Sequence, residues 1–124
     1  MRLRRRLLGR VALLSVVTLV ACWNPSIRDL NLRPDKHYQE KLSVTGRIMR
    51  TQVVGGDTLF EIADTRDSRL LVRTSRPIDA TVGDWVKVTG VLVPEARVGD
   101  TVLYDVLTAE DVSRTGSPWF PNLM

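Results

Sequence analysis

The chain of 124 residues has one cysteine and one histidine, and only 6% of it is aromatic. A single cysteine excludes an internal disulfide, and with one histidine it leaves no clustered Cys/His ligands for zinc. Carboxylates are scattered singly between apolar stretches, so no oxygen cage for a hard cation stands out. The histidine, His37, sits beside Tyr38 in a charged stretch and reads as part of a solvated pair. Nucleophilic catalysis needs a base within reach of its serine or cysteine. The sequence supplies no such pairing, so no enzymatic activity, metal or cofactor is expected. A membrane-spanning helix needs about 20 consecutive apolar residues, and the run from Val11 to Ala21 is about half that and contains Ser15 and Thr18.

What is there instead is a basic opening, Arg2, Arg4, Arg5, Arg6 and Arg10, followed by that short apolar run and then Leu19-Val20-Ala21-Cys22. A charged start, a short apolar core and small residues at a cut site describe a secretory signal peptide over residues 1–21. The last four residues resemble the lipobox of bacterial lipoproteins. That resemblance implies a diacylglyceryl group on Cys22, cleavage before it, and a mature chain held by lipid outside the cytoplasm. Trp23 is not the aspartate that in Gram-negative members marks retention in the inner membrane. The implied address in such a host is the outer membrane, facing the periplasm.

Removing residues 1–21 changes the charge. The full chain has 18 basic and 14 acidic residues, but five arginines and no acids lie in the first 21, leaving 18 − 5 = 13 basic against 14 acidic. A near-neutral mature chain of 124 − 21 = 103 residues is one domain's worth. Its charge does not point to nucleic acid, and no nucleic-acid partner is expected.

Residues 22–40 carry Pro25, Pro34, many charges and no sustained period, the composition of a lipidated tether. Ile27, Leu30 and Leu32 give it one brief helical possibility. Such a tether has a root-mean-square span of roughly 25 Å and a stretched reach of about 65 Å. From Leu42 the period becomes two. Leu42, Val44, Gly46 and Ile48 alternate with polar neighbours, and Gly55-Gly56-Asp57 signals a hairpin. A second strand, Thr58 to Asp64, puts Phe60 and Ile62 on one face and Leu59 and Glu61 on the other. A third has Leu70 and Val72 facing in, with Arg69, Leu71 and Arg73 facing out. Gly83-Asp84 opens a fourth strand, Trp85 to Val93, stopped by Pro94. Gly99-Asp100 opens a fifth, Thr101 to Leu107, and Ala109 to Val112 closes the domain. Residues 114–124 form a tail with two prolines beside Trp119 and Phe120.

Five strands without a long helix predict an all-β domain, a small antiparallel barrel over residues 41–113. Gly46 and Gly90 lie mid-strand, where glycine marks a sharp coil or a close backbone approach. The long first strand with its central glycine, and Gly83-Asp84-x-Val-x-Val-x-Gly90 in the fourth, are similar to the OB-fold, a five-stranded Greek-key barrel. The likeness extends to periplasmic bacterial OB-fold proteins and to anticodon-binding OB domains, with an SH3-like barrel as the alternative. The helix that family places between strands three and four has only Pro77 to Val82 to form in, and is expected to be absent or one turn. The related haem chaperones of cytochrome maturation use a histidine beyond the barrel; this chain has none there.

Arg66, Arg69, Arg73 and Arg76 form the one charge cluster. On an OB-fold the strand two–three face is the usual ligand face, so the four are the candidate grip on an anion. The competing reading is a solvated edge paired with Glu61, Asp64 and Asp67. Trp85 reads as barrel-end packing. Trp119 and Phe120 suit a membrane interface, a partner groove or the open end of the barrel. The expectation is a non-catalytic, lipid-anchored binding or scaffolding module of the bacterial envelope with an envelope protein as partner. The alternative is a binder of small anions or oligosaccharides.

Overall fold

The computed structural model describes residues 24–117, so the segment expected to be a signal peptide, the lipobox-like stretch ending at Cys22, and Trp119-Phe120 lie outside the described residues. Five strands, β1 (Lys41–Val54), β2 (Asp57–Ala63), β3 (Arg69–Thr74), β4 (Trp85–Val98) and β5 (Thr101–Arg114), close a barrel in the order β1-β2-β3-β5-β4. This is the OB-fold-like arrangement the alternation predicted. Leu42, Val44 and Ile48 of β1, Phe60 and Ile62 of β2, Leu70 and Val72 of β3, and Val86, Val88 and Leu92 of β4 fill its interior. Between β3 and β4 the described chain forms turns and bends and no helix.

Three expectations are corrected. The barrel is mixed rather than antiparallel, because β3 and β5 pair in parallel through Val72↔Leu107 and Arg73↔Thr108. Pro94 does not stop β4. The ladder passes from Val93↔Val106 to Glu95↔Tyr104, so Pro94 sits where its missing N–H costs no pair, opposite Asp105 with its positive φ of 53°. β5 likewise runs past Leu107 to Arg114. Val106 and Leu107 are both buried, one on each face of the strand.

The third correction concerns the tether. Residues 27–40 are packed on the barrel. Ser26 caps α1 (Ile27–Leu32) by accepting the Asp29 N–H at 3.1 Å. Ile27 and Leu30, three apart on one helical face, are 1% exposed inside the barrel core. Asn31 donates to the Arg69 carbonyl at 3.0 Å, and Tyr38 makes a parallel bridge with Leu92. A six-residue helix is too short to declare a period, so two buried side chains decide what composition alone does not.

Both mid-strand glycines mark close approaches. A Cβ on Gly46 would lie 2.9 Å from the Ile62 Cβ and 3.1 Å from the Ile27 Cδ1, so its absence lets α1 seat. At Gly90 the obstacle is backbone: a Cβ would stand 2.1 Å from the Thr108 carbonyl oxygen and 2.9 Å from the Ala109 Cα. The β4–β5 register slips there, from Thr89↔Asp111 to Gly90↔Ala109. Strand β5 must move if residue 90 gains a side chain. Gly90→Ala is therefore expected to cost about 1–3 kcal/mol or more, as overpacking does, and Gly90→Val at least as much. Each kcal/mol lowers the Tm of a domain this size by about 4–8 °C. Thermal melts by circular dichroism check this, and an unchanged Tm contradicts it.

Candidate functional site

Beyond the barrel wall the strands continue as two hairpin arms. β1 pairs with β4 only as far as Arg47, and from there to Val54 it pairs with β2. Past Val91, β4 leaves β1 and continues with β5 out to Val98↔Thr101. Gly55 (φ 58°) and Gly56 (φ 87°) make the two-residue turn of the first arm, the left-handed pair that a tight hairpin demands. The tips meet: a Cβ on Gly55 would be 3.7 Å from the Gly99 Cα, and one on Gly99 would be 3.5 Å from the Val54 side chain. Ala96 and Val98, on the second arm, are both buried.

Below these arms lies a groove of about 270 Å³ on the outer face of β1–β2–β3. Leu59, Leu71 and Leu103 line it, with Arg50, Gln52 and Glu61 around them. The rows are set by register: Gln52 pairs with Leu59 and Leu59 with Arg73, while Arg50 pairs with Glu61 and Glu61 with Leu71. Beside it the sheet is open. Among the described residues β3 meets β5 only at residues 72–73 and 107–108, so Thr101–Val106 has β4 on one edge and no described strand on the other. The sequence carried a signal for this site in Leu59 and Leu71, two leucines on outward-facing positions; Arg50, Gln52 and Leu103 had none.

The four predicted arginines do not converge. Arg69 and Arg73 are four strand residues apart on β3, about 13 Å, with Arg66 in the turn before it and Arg76 past its end. Arg69 reaches Glu61 at 2.8 Å and Asp67 at 3.1 Å, and its hydrogen bond to Glu61 is the main reason its pKa is raised. Arg73 is held by Asp57 at 3.0 Å, and Arg50 lies 3.4 Å from Glu61. The middle of the face is thus apolar within a ring of neutralised pairs. Arg66 and Arg76 have no carboxylate partner among the described residues and leave exposed cations at both ends of β3.

No protein-family model matches the sequence, and no curated protein matches it. Solved structures do match the fold. A putative aspartyl-tRNA synthetase from Leishmania major aligns at a TM-score of 0.58 and 13% identity, covering 76% of this chain and 21% of its own. The asparaginyl-tRNA synthetase from Pyrococcus horikoshii, complexed with asparaginyl-adenylate, aligns at 0.51 and 12%, covering 66% and 20%. The S. pombe Stn1-Ten1 complex aligns at 0.47 and 18%, covering 63% and 60%. The chain thus spans about a fifth of either synthetase. At these identities the likeness is one of fold, the OB-fold.

The expectation of no nucleic-acid partner is overturned by these neighbours. The same fold stands in two enzymes named for tRNA, so the fold gives no ground for setting nucleic acid aside. That expectation rested on net charge, a sum over the whole chain that does not describe the field at one face.

Tyr38 fastens the N-terminal segment to the base of the second arm. Its phenol donates to a carboxylate oxygen of Asp105, the residue held at a φ of 53°. That hydrogen bond, with burial and the charges of Asp105 and Asp35 adding to it, pushes the Tyr38 pKa from 10.0 up to about 12. The protonated phenol is favoured by folding, so its stabilisation is complete below pH 10 and is lost as pH rises through about 12. Denaturant midpoints across that window are expected to fall more steeply in the natural chain than in Tyr38→Phe. Parallel curves would contradict the contact.

Proposed function

We propose that this chain is a non-catalytic binding module of the bacterial envelope, anchored by lipid on Cys22, that takes an extended protein segment into the groove between its arms. The anchor rests on the likeness of Leu19-Val20-Ala21-Cys22 to a lipobox. The binding role rests on one observation above the others: three leucines line an open groove beside an unpaired strand edge. An extended peptide answers both features at once. Its backbone pairs with the free edge of Thr101–Val106, and its alternate side chains reach Leu59, Leu71 and Leu103. Neutralised arginines around the groove suit a peptide backbone better than a small anion, which would have to displace Glu61 or Asp57 to be gripped.

The experiment is site-specific photo-crosslinking in the living envelope, with the crosslinking residue at Leu71, at Leu103, or at exposed Val82 off the groove. A defined protein adduct from positions 71 and 103, absent at 82, is the expected result. Crosslinks to nucleic acid or glycan at the same positions would replace the peptide reading with one of those. Mass spectrometry of the mature chain tests the anchor separately. Diacylglyceryl on Cys22 is expected, with uncut precursor accumulating in Cys22→Ala, and an unmodified Cys22 in mature protein would refute it.

A further inference from the structure

Away from the leucine groove, a second hollow is built where distant stretches of the chain converge. A Cβ on Gly46 would stand 3.1 Å from the Ile27 Cδ1, so the seating of α1 brings its cap, Ser26, beside β1. Thr45 of β1 pairs with Lys87 of β4, and Ser43 precedes Thr45 by two residues on the same row. Thr115 donates its N–H to the Trp85 carbonyl at 2.8 Å, which holds the end of β5 against β4. Asp64 follows β2, and its Oδ1 accepts the N–H groups of Arg66 and Ser68 at 2.9 Å each. These residues wall an open cleft of about 480 Å³. Small-ligand sites span about 300–1,000 Å³.

The cleft is polar where the groove is apolar. Ser26, Ser43, Thr45 and Thr115 bring hydroxyls to it, and a hydroxyl can both donate and accept. Ser26 Oγ already accepts the Asp29 N–H, so its own proton is what remains to offer. Lys87 only donates, is exposed, and forms no ion pair among the described residues. Ionised Asp64 only accepts, and its bonds to the turn leave Oδ2 unused. Ser43 is 6% exposed, and its hydroxyl has no hydrogen-bond partner among the described residues. Most buried hydroxyls have one. The fold therefore loses no hydrogen bond if this hydroxyl is removed.

That set of groups selects a ligand. An apolar molecule would strip water from the hydroxyls and return no hydrogen bonds. Phosphate or sulfate would meet one cation, with the Asp64 carboxylate opposing it. A ring of hydroxyls carrying a single acid answers every group. We propose that this cleft binds an acidic sugar unit. Its carboxylate meets Lys87, and its hydroxyls meet Thr45, Thr115 and the unused oxygen of Asp64. Ser43 turns to it by a change of χ1 rotamer. The site lies on the β1–β4 face, so it does not depend on what the leucine groove takes.

The full chain, labelled with nitrogen-15, is titrated with galacturonate, galacturonate trimer, maltotriose and inorganic phosphate while backbone amide shifts are followed. Saturating shifts at Thr45, Lys87 and Thr115 are expected with the trimer, at a Kd of about 1 mM or tighter. Maltotriose, which lacks the acid, is expected to bind about tenfold more weakly or worse. A trimer that binds more tightly than galacturonate marks a polysaccharide as the source of the unit; equal affinities mark a free sugar acid. Lys87→Gln is expected to erase the preference over maltotriose, and Thr45→Val to weaken the trimer several-fold. Ser43→Ala is expected to weaken the trimer while leaving the Tm unchanged, a split that a merely structural serine would not give. Circular dichroism verifies that each variant keeps its β spectrum. Shifts confined to the leucine groove, phosphate binding as tightly as the trimer, or a trimer affinity untouched by Lys87→Gln and Thr45→Val would each overturn the proposal. So would the absence of any saturating shift with either acid. None of these outcomes bears on the peptide groove.

Discussion

At Gly90 two backbones come closer than any side chain allows, and the closure of the barrel depends on it. Thr108, whose carbonyl occupies the space a Cβ would need, pairs with Val91 of β4 and with Arg73 of β3. With Leu107, which pairs with Leu92 and Val72, it joins the two halves of the sheet. The register slip beside it gives β5 the twist to leave β4's company and meet β3. Everything the outer face offers follows from this junction. Upstream of it β5 is free on one edge, and the arm it shares with β4 swings out until its tip meets Gly55.

The barrel was legible because its constraints are local and periodic. Leu42 through Ile48, Phe60 and Ile62, and Val86 through Leu92 alternate in a way that admits only half-buried strands, and Gly55-Gly56 announces its own turn. The two mid-strand glycines flagged the close approaches, though not what approached. What was not legible depends on contacts between distant segments. Tyr38 binding Asp105, and α1 filling the space that Gly46 leaves, are decided by shape complementarity across the fold, and no spacing encodes it. The same holds for Pro94, which ends a strand only if its N–H is wanted.

The candidate site was half legible. Leu59 and Leu71 stood on outward positions, a breach of binary pattern that marks either a buried interface or a binding surface. Leu103 could join them only once the second arm was known to lean over β3. The arginines drew more notice in the sequence and matter less in the structure, because residues apart in sequence, Glu61 and Asp57, turn out to neutralise Arg50, Arg69 and Arg73. Local sequence cannot reveal a cross-strand partner without the register. The account that emerges is of a barrel with two ends of different character. Asn24, Thr115 and Lys87 lie at one end, and the touching hairpin tips and leucine groove lie toward the other.

The central claim is that the free edge of β5 and the leucine groove receive an extended segment. Hydrogen exchange resolved to single amides, on the chain alone and on the chain isolated with its crosslinked partner, tests it most directly. The account predicts that the amides of Thr101–Val106 that point away from β4 exchange readily in the free chain and become protected in the complex, together with those of β3 before Val72. Protection that appears instead around Thr45 and Lys87, or an edge that exchanges at the same rate with and without partner, would contradict it.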